Sequence, residues 1–286
     1  MSRVGFVTHP GRRTAIETTE RVRAWLADRD TETVVLPGDG SSYADAGTID
    51  LVVSVGGDGT FLRAAHAASD LGCPVLGVKV GRMGFLTEVE PEDAPALIAA
   101  VLQGTARVER RMALTVEPLE GADFLPQWGL NEVMVEKHVR HRLIRLAVEV
   151  DGSYVTTFSA DGVIVASPTG STAYSFSARG PIVSPEVDSL VLTPIAAHMV
   201  FDRSFVLDPA SEVALQVMGD ERGILSADGR ESVELPVGSR VRIRSSSRPA
   251  LLVRRDDAPG FLSLVRDKFD LPGEDDDADG GVVPPG

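Results

Sequence analysis

A glycine-rich segment at 56–60, Gly-Gly-Asp-Gly-Thr, carries one carboxylate, Asp58, in its middle. An apolar run at 51–55 precedes it and an amphipathic run at 61–68 follows it, which predicts a strand, a tight turn and a helix. Glycines let a ligand approach the backbone, and the free N–H groups of a helix N-terminus attract an anion. A loop that only held phosphate would have no use for Asp58, which repels phosphate unless it binds a cation or accepts a hydroxyl proton. The segment therefore indicates phosphoryl transfer to an alcohol.

A second segment, 167–177, gathers hydroxyl side chains around a glycine in the order Ser-Pro-Thr-Gly-Ser-Thr-Ala-Tyr-Ser-Phe-Ser. Hydroxyls and backbone amides can satisfy phosphate and ribose oxygens, and Tyr174 offers a flat face to a base. A capped turn rich in Ser and Thr is the alternative interpretation. Upstream, Asp161 opens an Asp-Gly pair that also suits a hairpin turn. The pair Asn131 and Glu132 begins a strand-like run, for which a solvated strand end is the alternative.

The composition limits the classes of protein to consider. With 286 residues, 43% hydrophobic and 24% charged, the chain can build a full core and two domains. A formal net charge of −14 disfavours nucleic acid and anionic lipid as partners, so neither nucleic acid nor membrane binding is expected. The longest apolar run, 190–201, is short for a membrane span and contains Pro194 and His198. No signal-peptide pattern opens the chain, and the single Cys73 suits a reducing compartment, so we expect a cytoplasmic protein.

Two architectures follow each other along the chain. Residues 1–110 alternate short apolar runs with helical patterns, which predicts an N-terminal α/β domain with a Rossmann-like parallel sheet. Residues 111–256 show short alternating strands between turn residues, which predicts an all-β C-terminal domain of the β-sandwich type. Residues 257–270 are expected to form a closing helix that packs back on the first domain. The acidic tail, 271–286, is rich in Gly, Pro and Asp and is expected to be disordered.

Together these motifs resemble the NAD kinase family over nearly the whole chain up to the acidic tail. The resemblance is carried by the segments 56–60, 130–132 and 161–175, and continues in Gly-Pro-Ile-Val at 180–183 and Pro-Ile-Ala-Ala-His at 194–198. The glycine–aspartate loop alone is shared with diacylglycerol and sphingosine kinases and is similar to part of phosphofructokinase. The hydroxyl-rich segment with its Asp-Gly lead distinguishes NAD kinases from those relatives.

The resemblance implies a two-domain enzyme that transfers the γ-phosphoryl group of ATP, or of polyphosphate, to the 2′-hydroxyl of the adenosine ribose of NAD, forming NADP. Asp58 would be the general base and could also hold a divalent cation, in the first instance Mg²⁺. The active site would lie in the crevice between the two domains. The family forms homodimers or homotetramers, often through the β-rich domain, and a neighbouring subunit can contribute to the NAD site.

The resemblance also implies which residues bind the nucleotides. Asn131 and Glu132 would contact the adenine or the nicotinamide amide and ribose, and Asp161 the nicotinamide or a second ribose. Arg63 would approach a phosphate, with a solvent-facing helix arginine as the alternative. The full predicted set is Gly57, Asp58, Gly59, Arg63, Asn131, Glu132, Arg142, Ser159, Asp161, Thr172, Ala173, Tyr174, Ser175, Phe176, Ser177 and Arg230.

The family motifs determine three members of this set less precisely than the others. Arg142 belongs to a basic run at 137–142, which either offsets phosphate charge or forms a solvated hairpin. Arg230 matches a family position that contacts nucleotide but varies in residue type. Ser159 stands where many family members carry a basic residue, so the donor and substrate preference stay open.

Three other functions share part of this pattern. A lipid or sugar kinase would share the glycine–aspartate loop, but the segment 161–175 and the lack of a membrane-facing amphipathic patch argue against it. A non-catalytic dinucleotide-binding regulator would keep the pocket but has no use for Asp58. A dehydrogenase would be expected to carry Gly-x-Gly-x-x-Gly after the first strand, where this chain has Thr-His-Pro-Gly-Arg at 8–12.

Overall fold

The computed structural model describes residues 2–38, 43, 46–81, 84–199, 201–230 and 232–272, so most of the predicted acidic tail lies outside the described residues. The first part of the chain forms β1 (Arg3–Thr8), α1 (Arg13–Ala27), β2 (Glu32–Val35), β3 (Leu51–Gly56), α2 (Asp58–Leu71), β4 (Val75–Lys79), α3 (Ala94–Leu102) and β5 (Arg107–Arg111).

The middle of the chain is almost entirely extended. It forms β6 (Leu114–Pro118), β7 (Gln127–Gly129), β8 (Glu132–Lys137), β9 (Ile144–Val150), β10 (Ser153–Ala160), β11 (Gly162–Ala166), a 3₁₀ turn (Thr169–Thr172), α4 (Tyr174–Ser177), β12 (Leu190–Ile195), β13 (Phe205–Leu207), β14 (Val213–Met218), β15 (Gly223–Ala227), β16 (Val233–Leu235) and β17 (Arg240–Ser245). The chain then closes with β18 (Ala250–Arg254) and α5 (Phe261–Phe269).

The first sheet has the strand order β2-β1-β3-β4-β18-β5, and its first four strands are parallel. Every residue of β3 is buried because helices cover both faces of the sheet. Leu51 and Val53 pack in the core shared with α1 and α3, whereas Val52 packs on the other side against α2. The predicted α/β domain is confirmed, with one antiparallel strand, β5, at its edge.

Two antiparallel sheets of six strands form the remainder, in the orders β10-β9-β14-β17-β6-β7 and β13-β12-β11-β8-β15-β16. Their inner faces share one core, in which Leu146 and Val148 of one sheet meet Val163 and Val165 of the other. Along β9 buried residues alternate with more exposed ones, as expected for a strand with one face in a core. The predicted β-sandwich is confirmed.

Strand β18 is the point where the observed sheets differ from the predicted division at residue 256. It pairs in parallel with β4 and antiparallel with β5, so it belongs to the first sheet. Leu252 accordingly lies in the α2-side core. The sandwich is therefore inserted between two neighbouring strands of the first sheet.

The C-terminal helix α5 touches both domains. Its residues Phe261 and Leu264 line a cavity of about 210 Å³ together with Phe85 from the first domain and Thr172 from the hydroxyl-rich segment. The first part of the predicted apolar run forms β12 (Leu190–Ile195), between β13 and β11. Among the described helices, none is both long and apolar enough to cross a bilayer.

Cys73 gives a simple test of this packing. Its side chain is buried between α2 and β4, and burial raises the pKa of its thiol to about 12. Because the thiolate is the reactive form, we expect the native protein to react with an aromatic disulfide reagent at pH ~8 only as fast as it unfolds. Protein unfolded in guanidinium should react at once. Rapid labelling of the native protein would contradict the described burial.

Candidate functional site

Asp58 is the first residue of α2, and its carboxylate faces a bend of the chain at 84–87. The oxygen Oδ2 accepts a hydrogen bond from the Phe85 N–H at 2.9 Å. The oxygen Oδ1 accepts from the Leu86 N–H and the Thr87 hydroxyl, both at 3.2 Å. A carboxylate offers about four acceptor positions, so one position on Oδ2 remains without a donor among the described residues. Asp58 is therefore held in place while it keeps the capacity to accept one more proton donor.

Gly84 permits this close approach. A Cβ atom at position 84 would lie 1.8 Å from Asp58 Oδ1, which no side chain could tolerate. Gly84 and the bend at 84–87 were absent from the predicted set, because their importance comes from a contact across more than twenty residues.

A cleft of about 620 Å³ opens beside the N-terminus of α2. The carboxyl ends of β1 and β2 form one wall, through Thr8 and Gly38, and Gly59 lies on the helix side. Of the residues that the structure describes, two cationic side chains line the cleft, Arg63 from α2 and Arg230 from the sandwich. Within the described part of the chain, no carboxylate pairs with Arg63. The cleft thus lies beyond the carboxyl ends of parallel strands, where α/β folds bind ligands, and it can accept an anion.

Asn131 and Glu132 lie at the start of β8, at the same junction between the domains. Asn131 is only 8% exposed. Its Oδ1 atom and Glu132 Oε2 are buried without a hydrogen-bond partner among the described residues. Burial raises the pKa of Glu132 to about 8, the charge of Asp228 adds to the rise, and the Tyr174 backbone N–H opposes it. Buried polar atoms without partners are costly and rare, so these two oxygens favour a ligand that supplies donors.

Replacement of Glu132 by glutamine should remove a pH dependence of stability. The pKa of Glu132 is about 8 in the folded protein, against an ordinary 4.5, so between these values the folded state binds more protons than the unfolded state. The free energy of unfolding should therefore fall by a few kcal/mol as the pH rises through this range, and then level off. Urea unfolding from about pH 5 to about pH 9 should show the fall in the natural protein and a smaller one in Glu132→Gln. Equal slopes would contradict the prediction.

Asp228 holds the peptide groups that carry this pair. Its carboxylate accepts hydrogen bonds from three successive amides, those of Leu130 at 2.7 Å, Asn131 at 2.8 Å and Glu132 at 3.1 Å. The side chain of Asp228 is fully buried, and its φ angle of 51° is rare for a residue other than glycine. In the sequence, Asp228 stands in an Asp-Gly pair, which is typical of a turn. Its true contact lies almost a hundred residues away.

His66 connects Asp228 to the helix of Asp58. The His66 Nε2 atom lies 3.3 Å from Asp228 Oδ2, and Arg230 donates a hydrogen bond to His66 Nδ1. Because Nδ1 accepts, the ring proton belongs on Nε2, facing the carboxylate. Burial lowers the pKa of His66, which favours this neutral form. The Trp128 ring packs edge-on at 4.7 Å. One buried cluster therefore joins α2 to the sandwich.

The hydroxyl-rich segment packs directly on Asn131. The Ser167 N–H donates to the Asn131 carbonyl at 2.8 Å, and the Ser167 hydroxyl donates to the Leu130 carbonyl at 2.5 Å. A Cβ atom at Gly170 would lie 2.0 Å from the same Asn131 carbonyl, so only glycine fits there. The two predicted motifs are therefore in contact.

Members of this segment are placed differently from one another. Tyr174, Phe176 and Ser177 are exposed, and Ala173 joins the 3₁₀ turn to α4. Ser175 is fully buried and shares a hydrogen bond of 3.2 Å with the Thr193 hydroxyl. Ser175 therefore contributes to packing within the domain, whereas its exposed neighbours can face a ligand.

Three predicted residues lie apart from this group. Strands β8 and β11 are antiparallel, with Glu132 opposite Ala166 and Glu136 opposite Gly162. Four residues of strand separate the two ends, about 13 Å. Asp161 lies at the far end, where it pairs with Lys137. Ser159 lies one residue before the end of β10, and Arg142 lies in the β8–β9 connection and pairs with Glu221.

A divalent cation would have few protein ligands here. Within the described residues there is no group of three His, Cys, Asp or Glu side chains that could hold a metal ion. This arrangement fits Mg²⁺, which keeps waters and is commonly bound by one or two carboxylates together with substrate phosphates. Because a hydroxyl donor would take the open acceptor position of Asp58, substrate phosphates and waters would supply most ligands of such an ion.

Comparison with known proteins adds independent findings. The chain matches the sequence models of the ATP-NAD kinase N-terminal domain over residues 41–106 and the ATP-NAD kinase C-terminal domain over residues 130–255. It is 39% identical over 298 residues to an NAD kinase of Rhodococcus erythropolis, covering 93% of each chain. It is also 39% identical over 285 residues to NAD kinase 2 of Streptomyces coelicolor, covering 94% of each.

Two solved structures are similar as well. A crystal structure of an NAD kinase from Archaeoglobus fulgidus in complex with ATP has a TM-score of 0.72 and 28% identity, and the match covers 89% of this chain and 94% of that one. A crystal structure of yeast NADH kinase complexed with NADH has a TM-score of 0.83 at 22% identity, covering 95% and 88% of the two chains, and shares the fold.

Proposed function

The chain belongs to the NAD kinase family, and we propose that it phosphorylates the 2′-hydroxyl of the adenosine ribose of NAD with ATP, forming NADP. The observation that carries this function is the carboxylate of Asp58. It is fixed by three donors, keeps one open acceptor position, and lies at a helix N-terminus beside a cleft with two arginines. That combination suits a transfer that depends on positioning and charge neutralisation.

Asp58 is the general base of this reaction. The 2′-hydroxyl donates its hydrogen bond to the open position on Asp58 Oδ2 and passes its proton to that oxygen as the new O–P bond forms. The bond between the γ-phosphorus and its bridging oxygen breaks, and ADP leaves. The Phe85 and Leu86 amides keep the carboxylate aimed at the hydroxyl throughout.

Arg63 and Arg230, which both line the cleft, neutralise phosphate charge. The N-terminus of α2 adds backbone N–H groups on the same side. Bound Mg²⁺ would neutralise further charge on the transferring phosphoryl group. The donor can be ATP or polyphosphate, since both present a terminal phosphoryl group to the same cations.

Asn131 and Glu132 recognise the dinucleotide. Their partnerless buried oxygens would accept hydrogen bonds from the amino group of an adenine or from ribose hydroxyls. Of the hydroxyl-rich segment, Thr172, Ala173, Tyr174, Phe176 and Ser177 would line the base pocket. The buried Ser175 stabilises the segment through its hydrogen bond with the Thr193 hydroxyl.

The distant group of Arg142, Ser159 and Asp161 belongs to a site completed by a second copy of the chain. Its separation of about 13 Å from Glu132 along β8 supports this assignment, since one dinucleotide end would lie on each subunit. The functional unit is then a homodimer or homotetramer in the cytoplasm. Its domains are the α/β part, the sandwich that contributes Asn131, and the closing helix α5.

A matrix of donors and acceptors tests the proposal. The purified chain is incubated with ATP or polyphosphate, each with NAD, NADH or diacylglycerol, with Mg²⁺ and with a chelator. NADP should form from ATP and NAD, and the chelator should abolish it. No NADP at millimolar NAD would overturn the proposal, and phosphorylated diacylglycerol would establish a lipid kinase instead.

A further inference from the structure

Phe269, the last residue of α5, contacts both segments of the site from outside either domain. Its ring centroid lies 4.3 Å from that of Phe176 and 6.0 Å from that of Phe85, at interplanar angles of 31° and 45°. Such tilted pairs are a favourable arrangement of aromatic rings. Lys268 adds a cation 5.9 Å from the Phe85 ring centroid. Two side chains of the C-terminal helix therefore contact the Phe85 ring.

Phe85 matters because its backbone reaches Asp58. The Phe85 N–H donates to Asp58 Oδ2 and the next amide, of Leu86, donates to Oδ1. The bend at 84–87 belongs to no helix or strand, so few backbone bonds fix it. Leu86 packs against the α2-side core, and the Phe85 side chain attaches the bend to α5.

Phe176 is the second aromatic residue that the Phe269 ring contacts. It belongs to α4, two residues after Tyr174, and remains 37% exposed. Phe269 covers part of it. The Phe269 ring thus contacts both Phe85, whose backbone holds Asp58, and the segment proposed to face the dinucleotide.

We propose that Phe269 is a positioning residue for phosphoryl transfer, because its ring holds Phe85 and thereby the two peptide N–H groups that orient Asp58. The inference rests on the proposed function for its kinetic consequence. Its structural consequence, the order of the bend at 84–87, is independent of any activity.

The natural protein is compared with three variants of the same length, Phe269→Ala, Phe269→Tyr and Leu262→Ala. Leu262 belongs to the same helix but is 76% exposed, so its variant is the matched control. In Phe269→Ala, amide hydrogen exchange at Phe85 and Leu86 should quicken at least tenfold, while protection in β3 and α2 is kept. The kcat for NADP formation should fall on the order of tenfold with a smaller change in the KM for NAD. Phe269→Tyr keeps the ring and should restore both, and Leu262→Ala should match the natural protein.

Two results would overturn the proposal. One is that the amide exchange rates at Phe85 and Leu86 and the kcat of Phe269→Ala all stay within about twofold of the values for the natural protein. The other is exchange that quickens equally throughout the chain, because that would make Phe269 a residue of general stability. If the natural protein forms no NADP, the proposed function fails, and the exchange pattern alone still decides whether Phe269 orders the bend.

Discussion

Asp58→Asn is expected to lower turnover by roughly 10²–10⁴-fold, the usual contribution of a general base, while NAD still binds. An asparagine at 58 can place its oxygen where Oδ1 accepts from Leu86 and Thr87. Its NH₂ group then replaces Oδ2, so it faces the Phe85 N–H and cannot accept the proton of the ribose hydroxyl. Single-turnover experiments should therefore show that NADP formation is lost, and calorimetry should show that NAD still binds.

Asp70→Asn is the control for this result. Asp70 lies in the same helix and pairs at its exposed end with Arg248, 2.8 Å away. Its loss should leave turnover near that of the natural protein, since exposed ion pairs contribute little. Natural turnover in Asp58→Asn would show that Asp58 is not the base. Loss of NAD binding together with turnover would show that its main role is to bind the substrate.

Asp228→Asn is expected to weaken both the fold and the recognition of NAD. The amide can still accept from Asn131 and Glu132, but its NH₂ group meets the Leu130 N–H and leaves it without an acceptor. With the loss of charge-assisted bonds, the free energy of unfolding should fall by about 2–4 kcal/mol. Because Asn131 and Glu132 then shift, the KM for NAD should rise on the order of tenfold or more, with a smaller change in kcat.

Asp151→Asn provides a closely matched control. Asp151 also has a positive φ, 50°, and its carboxylate also accepts from backbone and hydroxyl groups, those of Glu212 and Ser211. It lies at the turn between β9 and β10, where the bonds are partly exposed. Its substitution should cost less stability and leave the KM for NAD unchanged. A normal KM in Asp228→Asn would refute the role of Asp228 in orienting Asn131 and Glu132.

Local patterns predicted the fold where one stretch of chain determines its own structure. The apolar run at 51–55 lies in a strand buried on both faces, and the predicted closing helix at 261–269 is α5. Strand β18 shows the limit, because its apolar run 250–254 resembles the sandwich strands before it. Only the pairing with β4 and β5, from much earlier in the chain, places it in the first sheet.

The residues of the site also fall into two groups, those that local patterns predict and those that they do not. Asp58, Arg63 and Asn131 belong to short motifs whose residue types already suggest their chemistry. The supports of these residues, Gly84 and His66 among them, carry no local signal, because each acts through a contact formed only on folding. Asp161 remains a predicted contact of the nicotinamide or a second ribose, and the length of β11 separates it from Glu132 within one chain.

The insertion of the sandwich between β5 and β18 also fixes the order in which the protein can be completed. The ribosome releases β1 to β5 early, but β18, which lies between β4 and β5, follows only after residue 249. The first sheet must therefore wait, with a gap beside β4, until the entire sandwich has been synthesised. The two connecting segments, 112–113 and 246–249, are then joined by a hydrogen bond from the Ser246 N–H to the Ala113 carbonyl at 2.8 Å. The domain that begins first during translation is the last to be finished.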